Sequence, residues 1–191
     1  MKPTVILASS SPRRRALLEQ IGISFSLDPA DVDERRLPGE IPEAYAVRVA
    51  LDKARVAAER TRTGIVIAAD TIVVVGDTIL GKPVDAADAA RMLSVLSGRE
   101  HEVVTGLAVM DAASRRFSVR TSVTKVCFRK LSEREISAYV ATGEPLDKAG
   151  AYGIQERGAL LVERIEGCYS NVVGLPLSLL GEMLCNFGII L

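Results

Sequence analysis

Residues Ser9-Ser10-Ser11-Pro12-Arg13-Arg14-Arg15 constrain this chain more than any other stretch. The apolar run Val5-Ile6-Leu7-Ala8 before them reads as a strand. Ala16, Leu17, Leu18 and Ile21 after them have helical spacing. Ser11 is placed to cap that helix and Pro12 to open it, since a serine oxygen accepts a free N–H and proline needs none. The chain therefore runs from a strand through a small-residue loop into a helix N-terminus. The exposed N–H groups there carry partial positive charge, so a first turn normally takes acids. Here it carries three arginines. An anion would cancel that charge, and a strand, a loop and a helix N-terminus in this order make a phosphate site. Three solvated arginines pointing outward are the competing reading.

The 191 residues are 48% hydrophobic, enough for a sizeable core in one domain spanning 1–191 or two packed lobes. Aromatics are only 4% and Trp is absent, so that core must be aliphatic. Lys and Arg number 24, as do Asp and Glu. Zero net charge disfavours nucleic acid as a partner, yet permits a local basic pocket for a small anion. Cys127, Cys168 and Cys185 are odd in number and widely spaced, which predicts buried free thiols in a reducing compartment. No leader and no membrane span is read from the chain, so a soluble cytoplasmic protein is expected.

Further elements follow from local signals. The first strand is expected over 4–8, the first helix over 12–22, and a second strand with one buried face over 23–27. After a charged loop, 28–40, a long helix is expected over 42–61, with Val47, Ala50, Leu51, Ala54 and Ala58 as its apolar stripe. Lys53 falls on the edge of that stripe, from which it either reaches into a cleft or snorkels to solvent. Residues 65–69 and 71–75 read as strand interrupted by Asp70, and Gly76-Asp77 turns the chain into a hairpin with 78–80. Asp85 opens a helix that Ser97-Gly98 closes, and long strands are expected over 101–111 and 115–129. Ser132 and Glu135 form a capping box for a helix ending near Thr142. Short strands are expected over 152–155 and 159–165, and a last helix over 176–187. Hairpins and crossovers together predict an α/β fold with a mixed sheet.

Asp70 is the most informative single residue. It is the lone carboxylate in an apolar run from Val66 to Val75, and a buried charge must be paired, hydrogen-bonded or bound to a metal. Catalysis or metal binding is weighed there against a structural role at a bend. Lys82, between Gly81 and Pro83, offers a cation on a stiff loop, and Lys148 is a weaker case. The chain has neither GxxxxGK[ST] nor GxGxxG. His101 is the only histidine, so a structural zinc site is disfavoured and a structural or solvated role is expected for it. Asp31, Asp33 and Glu34 could help hold a divalent cation or simply form a solvated loop.

Five segments in one order, ILASSSPRR, AADTIVV, GKP, DKAGAYGIQERG and VERIEGCYSNVVGLPL, resemble the Maf family of nucleoside triphosphate pyrophosphatases. The resemblance implies hydrolysis of a nucleoside triphosphate to the monophosphate and pyrophosphate, with Mg²⁺ or Mn²⁺. It also implies a mixed-sheet α/β fold with flanking helices and two lobes around a central cleft, often a homodimer, and a link to cell-division arrest. Asp70 matches the family's proton acceptor. Arg13, Thr71 and Gln155 match its specificity positions and look like the dTTP- and UTP-hydrolysing branch. The sister branch, acting on 7-methyl-GTP, has Trp in place of the first of these. Ser9, Arg14, Glu34, Lys53 and Lys82 match other polar cleft positions. The four cations suit phosphate, and Glu34 joins Asp70 as a candidate metal ligand. Glu156 stands where relatives commonly have Gly. The competing function of a different class is a nucleotide-sensing regulator of septum formation that binds a triphosphate without turnover. Neither a nucleic-acid nor a membrane partner is expected.

Overall fold

A computed structural model describes residues 3–190. Seven strands form one mixed sheet. They are β1 (Val5–Leu7), β2 (Phe25–Leu27), β3 (Ile65–Val75), β4 (Thr78–Leu80), β5 (Glu100–Asp111), β6 (Phe117–Phe128) and β7 (Val162–Glu166). The order is β2-β1-β3-β5-β6-β7, with β4 paired to β3. The helices are α1 (Pro12–Gln20), α2 (Pro42–Thr61), α3 (Ala86–Leu96), α4 (Glu133–Val140), α5 (Tyr169–Val173) and α6 (Leu177–Cys185). The chain divides into two compact units whose boundaries fall inside β3, β5 and β6 and just after α5. The first comprises residues 1–70, 105–122 and 174–191, and the second residues 71–104 and 123–173.

In the first unit β1 pairs in parallel with β2 and with β3, Val5 lying opposite Phe25 and Ile65. Residues 65–70 of β3 are buried without a break, the signature of a strand covered on both faces. Asp70 does not interrupt it: β3 is continuous through that residue. The strand α2 packs beside is β5, where a Cβ on Gly106 would collide with the Ala46 carbonyl. That close approach explains which face of α2 is buried. Ala46, Val49, Ala50, Ala54, Ala57 and Ala58 are in the core, while the bulkier Val47 and Leu51 of the expected stripe stay half-buried. Edge strand β2 is shorter than expected and lacks the expected buried face, Leu27 being 48% exposed.

The second unit has its own core of Leu93, Leu96, Val126, Phe128, Tyr139 and Tyr152, among others. The β3–β4 hairpin turns at Gly76-Asp77, with Val75 opposite Thr78. Asp85 caps α3, and Ser132 and Glu135 complete the capping box of α4. Residues 152–155 are not the expected strand, and 156–161 form a 3-10 turn before β7. His101 is buried, its Nε2 2.7 Å from the Tyr152 hydroxyl and its ring edge-on to Phe128. It is structural, with burial pushing the imidazole down to about 4. The cysteines are free, but Cys127 and Cys168 are only half-buried and Cys185 is exposed, so the expected burial does not hold.

Candidate active site

The first unit holds six of the sequence-predicted residues: Ser9, Arg13, Arg14, Glu34, Lys53 and Asp70. Ser11 caps α1, its side chain accepting from the Arg14 N–H, with Pro12 in the first turn. Ser9 is buried in the loop just before, and its Oγ accepts from the Ser11 N–H at 3.2 Å. The three arginines then part company. Arg15 points outward and pairs with Glu19 at 2.8 Å. Arg13 is half-buried. Arg14 turns inward: its Nε donates to the Gly174 carbonyl at 2.7 Å and its Nη1 to Ser9 Oγ at 3.2 Å. The outward-facing reading of the whole cluster therefore fails for Arg14. Burial pulls the Arg14 guanidinium below its usual range, Asp70 opposes that, and the neighbouring Arg13 adds to it. Negative charge at this spot is what would relieve both effects.

Lys53 is the second anchor. From the edge of the α2 stripe it reaches inward, and its Nζ lies 2.8 Å from Asp70 Oδ1 and 2.6 Å from Glu34 Oε1. The Lys53 and Asp70 side chains are 12% and 11% exposed, so this pair is largely withdrawn from water; Glu34, at 55%, is not. The buried carboxylate expected at Asp70 is thus present and paired, as low-dielectric surroundings require. Asp70 and Glu34 converge on one cation, the Lys53 ammonium. Among the described residues, no group of three or more His, Cys, Asp and Glu side chains could hold a metal ion.

Sequence reasoning missed Tyr45. Its hydroxyl donates to the Glu34 carbonyl at 2.8 Å, tying the loop that carries Glu34 to α2. Burial, then the charges of Asp70 and Glu34, push its phenol above the ordinary value. Arg48 strengthens the tie, bonding the Glu40 carboxylate at 2.7 Å and the Arg35 carbonyl at 2.9 Å. Tyr45 lies eight positions before Lys53 on the same helix, and that spacing was the available signal.

Three predicted residues belong to the second unit. Thr71 follows Asp70 on β3 and is half-buried. Lys82 is exposed on the loop after β4, between Gly81 and a buried Pro83. Gln155 is exposed in the turn before 156–161. Glu156 beside it has φ +52, the left-handed region in which a Cβ is crowded. Glycine adopts such a backbone without that crowding.

The Maf-like protein family model matches residues 4–187. The dTTP/UTP pyrophosphatase of Geobacter sulfurreducens is 52% identical over 187 residues, covering 98% of each chain. That of Moorella thermoacetica is 53% identical over 188 residues, covering 97% of this chain and 95% of its own. The dTTP/UTP pyrophosphatase of Syntrophomonas wolfei is 50% identical over 182 residues, covering 95% and 96%. Among solved structures, a HAM1 protein from Coxiella burnetii is 18% identical, with a TM-score of 0.48 over 66% of this chain and 73% of that one. A likeness of that extent decides nothing about activity.

Proposed function

This chain belongs to the Maf family, and from that premise we propose that it hydrolyses dTTP and UTP to the monophosphate and pyrophosphate. The observation that carries the reading is the Lys53–Asp70–Glu34 cluster beside the inward-turned Arg14. A protein that only bound a triphosphate would gain nothing from a buried carboxylate next to that anion. Asp70 is the proton acceptor. Lys53 engages its Oδ1, and Oδ2 is assigned to the attacking water. Attack at phosphorus breaks the anhydride bond, the water proton passes to Asp70, and pyrophosphate leaves. In the first unit Arg14 and Lys53 offset phosphate charge and the Ser9 hydroxyl can donate to a phosphate oxygen; the phosphate contact of Lys82 and the base choice by Arg13, Thr71 and Gln155 rest on the family resemblance.

Asp70 and Glu34 are the two carboxylates that would hold a Mg²⁺ or Mn²⁺ ion, since Mg²⁺ commonly uses one or two carboxylates together with substrate phosphates and water. When bound, the ion neutralises charge developing on the phosphate oxygens. Among the described residues no helix is long and apolar enough to cross a membrane. The family resemblance further supports a single-domain cytoplasmic homodimer, with no nucleic-acid or membrane partner.

The base preference has a chemical origin. The Gln155 amide presents a donor and an acceptor, matching the O4/N3 edge of uracil and thymine, whereas cytosine reverses that edge. Where a bound base covers the Gln155 amide, leaving one of its groups unpaired costs about 1–3 kcal/mol, roughly ten- to a hundredfold in kcat/KM. Pyrophosphate release with Mg²⁺ from dTTP, UTP, CTP, GTP and 7-methyl-GTP tests the reading. Preference for dTTP and UTP is expected. Binding without release would favour the nucleotide-sensing regulator, and preference for 7-methyl-GTP would place the chain in the sister branch.

A further inference from the structure

Gln155 can discriminate bases only if its amide is held in one orientation, and the turn that carries it has an anchor outside the site described above. Glu144 accepts from the Tyr139 hydroxyl at 2.9 Å and from the Gly158 N–H at 3.2 Å through one carboxylate oxygen. Its other oxygen accepts from the Arg157 N–H at 3.3 Å. Tyr139, buried in the second unit's core, accepts in turn from the Gly153 N–H at 3.3 Å. Both feet of the 153–158 loop are therefore tied, directly or through Tyr139, to one carboxylate.

The packing leaves the loop little alternative. A Cβ on Gly158 would collide with the Gly153 carbonyl oxygen and the Tyr139 hydroxyl. A Cβ on Gly153 would press on the Lys148 stem, whose Nζ donates to the Glu144 carbonyl at 2.6 Å. Gln155 stands at the tip of this closed loop. Burial holds the Tyr139 phenol above its ordinary value, so it stays protonated and keeps donating to Glu144.

We propose that Glu144, with Tyr139 as relay, is a positioning residue for base selection: it fixes the loop that presents Gln155. The proposal rests on the reading that Gln155 faces the base. It predicts that loosening the loop erodes selectivity before it erodes stability, because the loop's feet and not the core are disturbed. Glu144→Gln tests it, since the amide keeps the shape but sets its NH₂ against one backbone N–H.

The readout is the ratio of kcat/KM for dTTP over CTP, with amide exchange at 157 and 158. Glu144→Gln is expected to lower the ratio about tenfold, speed exchange at both amides, and leave the melting temperature within a few degrees. In a Gln155→Ala background the same change should not lower the ratio further, because the two residues act as one unit. Tyr139→Phe, which loosens only the Gly153 foot and the relay, should act in the same direction and more weakly. An unchanged ratio, an equal loss for both substrates, or a loss that persists without Gln155 would each overturn the proposal. A wild-type protein indifferent between dTTP and CTP would overturn the base-choice reading itself, and with it this proposal, before any variant is made.

Discussion

Replacing Lys53 with methionine removes a cation that both Asp70 and Glu34 contact within 3 Å. At 2.8 Å and an effective dielectric near 20 the attraction to Asp70 is about 6 kcal/mol, part of which offsets the cost of burying the two charges. Breaking a buried pair from one side costs about 3–5 kcal/mol, since it strands the other charge. The exposed contact to Glu34 adds less than about 1 kcal/mol. Arg14 still supports Asp70, so a loss near 3 kcal/mol is expected, a fall in Tm of about 6–12 °C for a chain of this size. Urea unfolding of Lys53→Met beside Lys53→Met/Asp70→Asn separates this from lost packing. Removing both charges should restore most of the stability. A single variant within 1 kcal/mol of wild type, or a double variant no more stable than the single, would refute the pairing as the reason Asp70 can be buried.

Two further outcomes follow from the same physics. Arg14→Ala should lower stability by about 2–3 kcal/mol in nucleotide-free protein, because the Gly174 carbonyl and Ser9 Oγ lose a charged donor; a melt at or above the wild-type temperature would mean the arginine is held there at a cost. His101, held down to about 4 from 6.5 by burial, binds fewer protons folded than unfolded between those values. Its contribution, about 3 kcal/mol, is therefore complete above pH 6.5 and lost as pH falls to about 4. His101→Phe should flatten the dependence of the urea midpoint on pH across that window, and an equal slope in both proteins would contradict the assignment.

Much of the fold was legible where the signal is local. The Ser11 cap, Pro12, the Asp85 cap, the Ser132–Glu135 box and the Gly76-Asp77 hairpin each depend on residues within four positions, and all formed as read. Errors arose where a distant segment decides. The buried face of α2 was set by its close approach to Gly106 of β5, which buries Val49 and the alanines rather than Val47 and Leu51. Residues 152–155 carry strand-like side chains, yet Glu144 and Tyr139 tie their neighbours into a closed loop. The burial and pairing of Asp70 were legible from charge in an apolar run, and the inward reach of Lys53 from its place on a helix edge. The inward turn of Arg14 was not, because its carbonyl partner lies 160 residues away.

Asp70 is either the base of a pyrophosphatase, as proposed above, or a structural carboxylate in a nucleotide-binding protein. Steady-state pyrophosphate release from dTTP with Mg²⁺, wild type beside Asp70→Asn, separates the two most directly, with a melt to confirm that the variant folds. Lys53 keeps Glu34 as a partner in the variant, so folding is expected to survive. A fall in kcat of about 10²–10⁴-fold is predicted, the usual cost of losing a general base. Turnover of the folded variant within a fewfold of wild type would contradict the proposal.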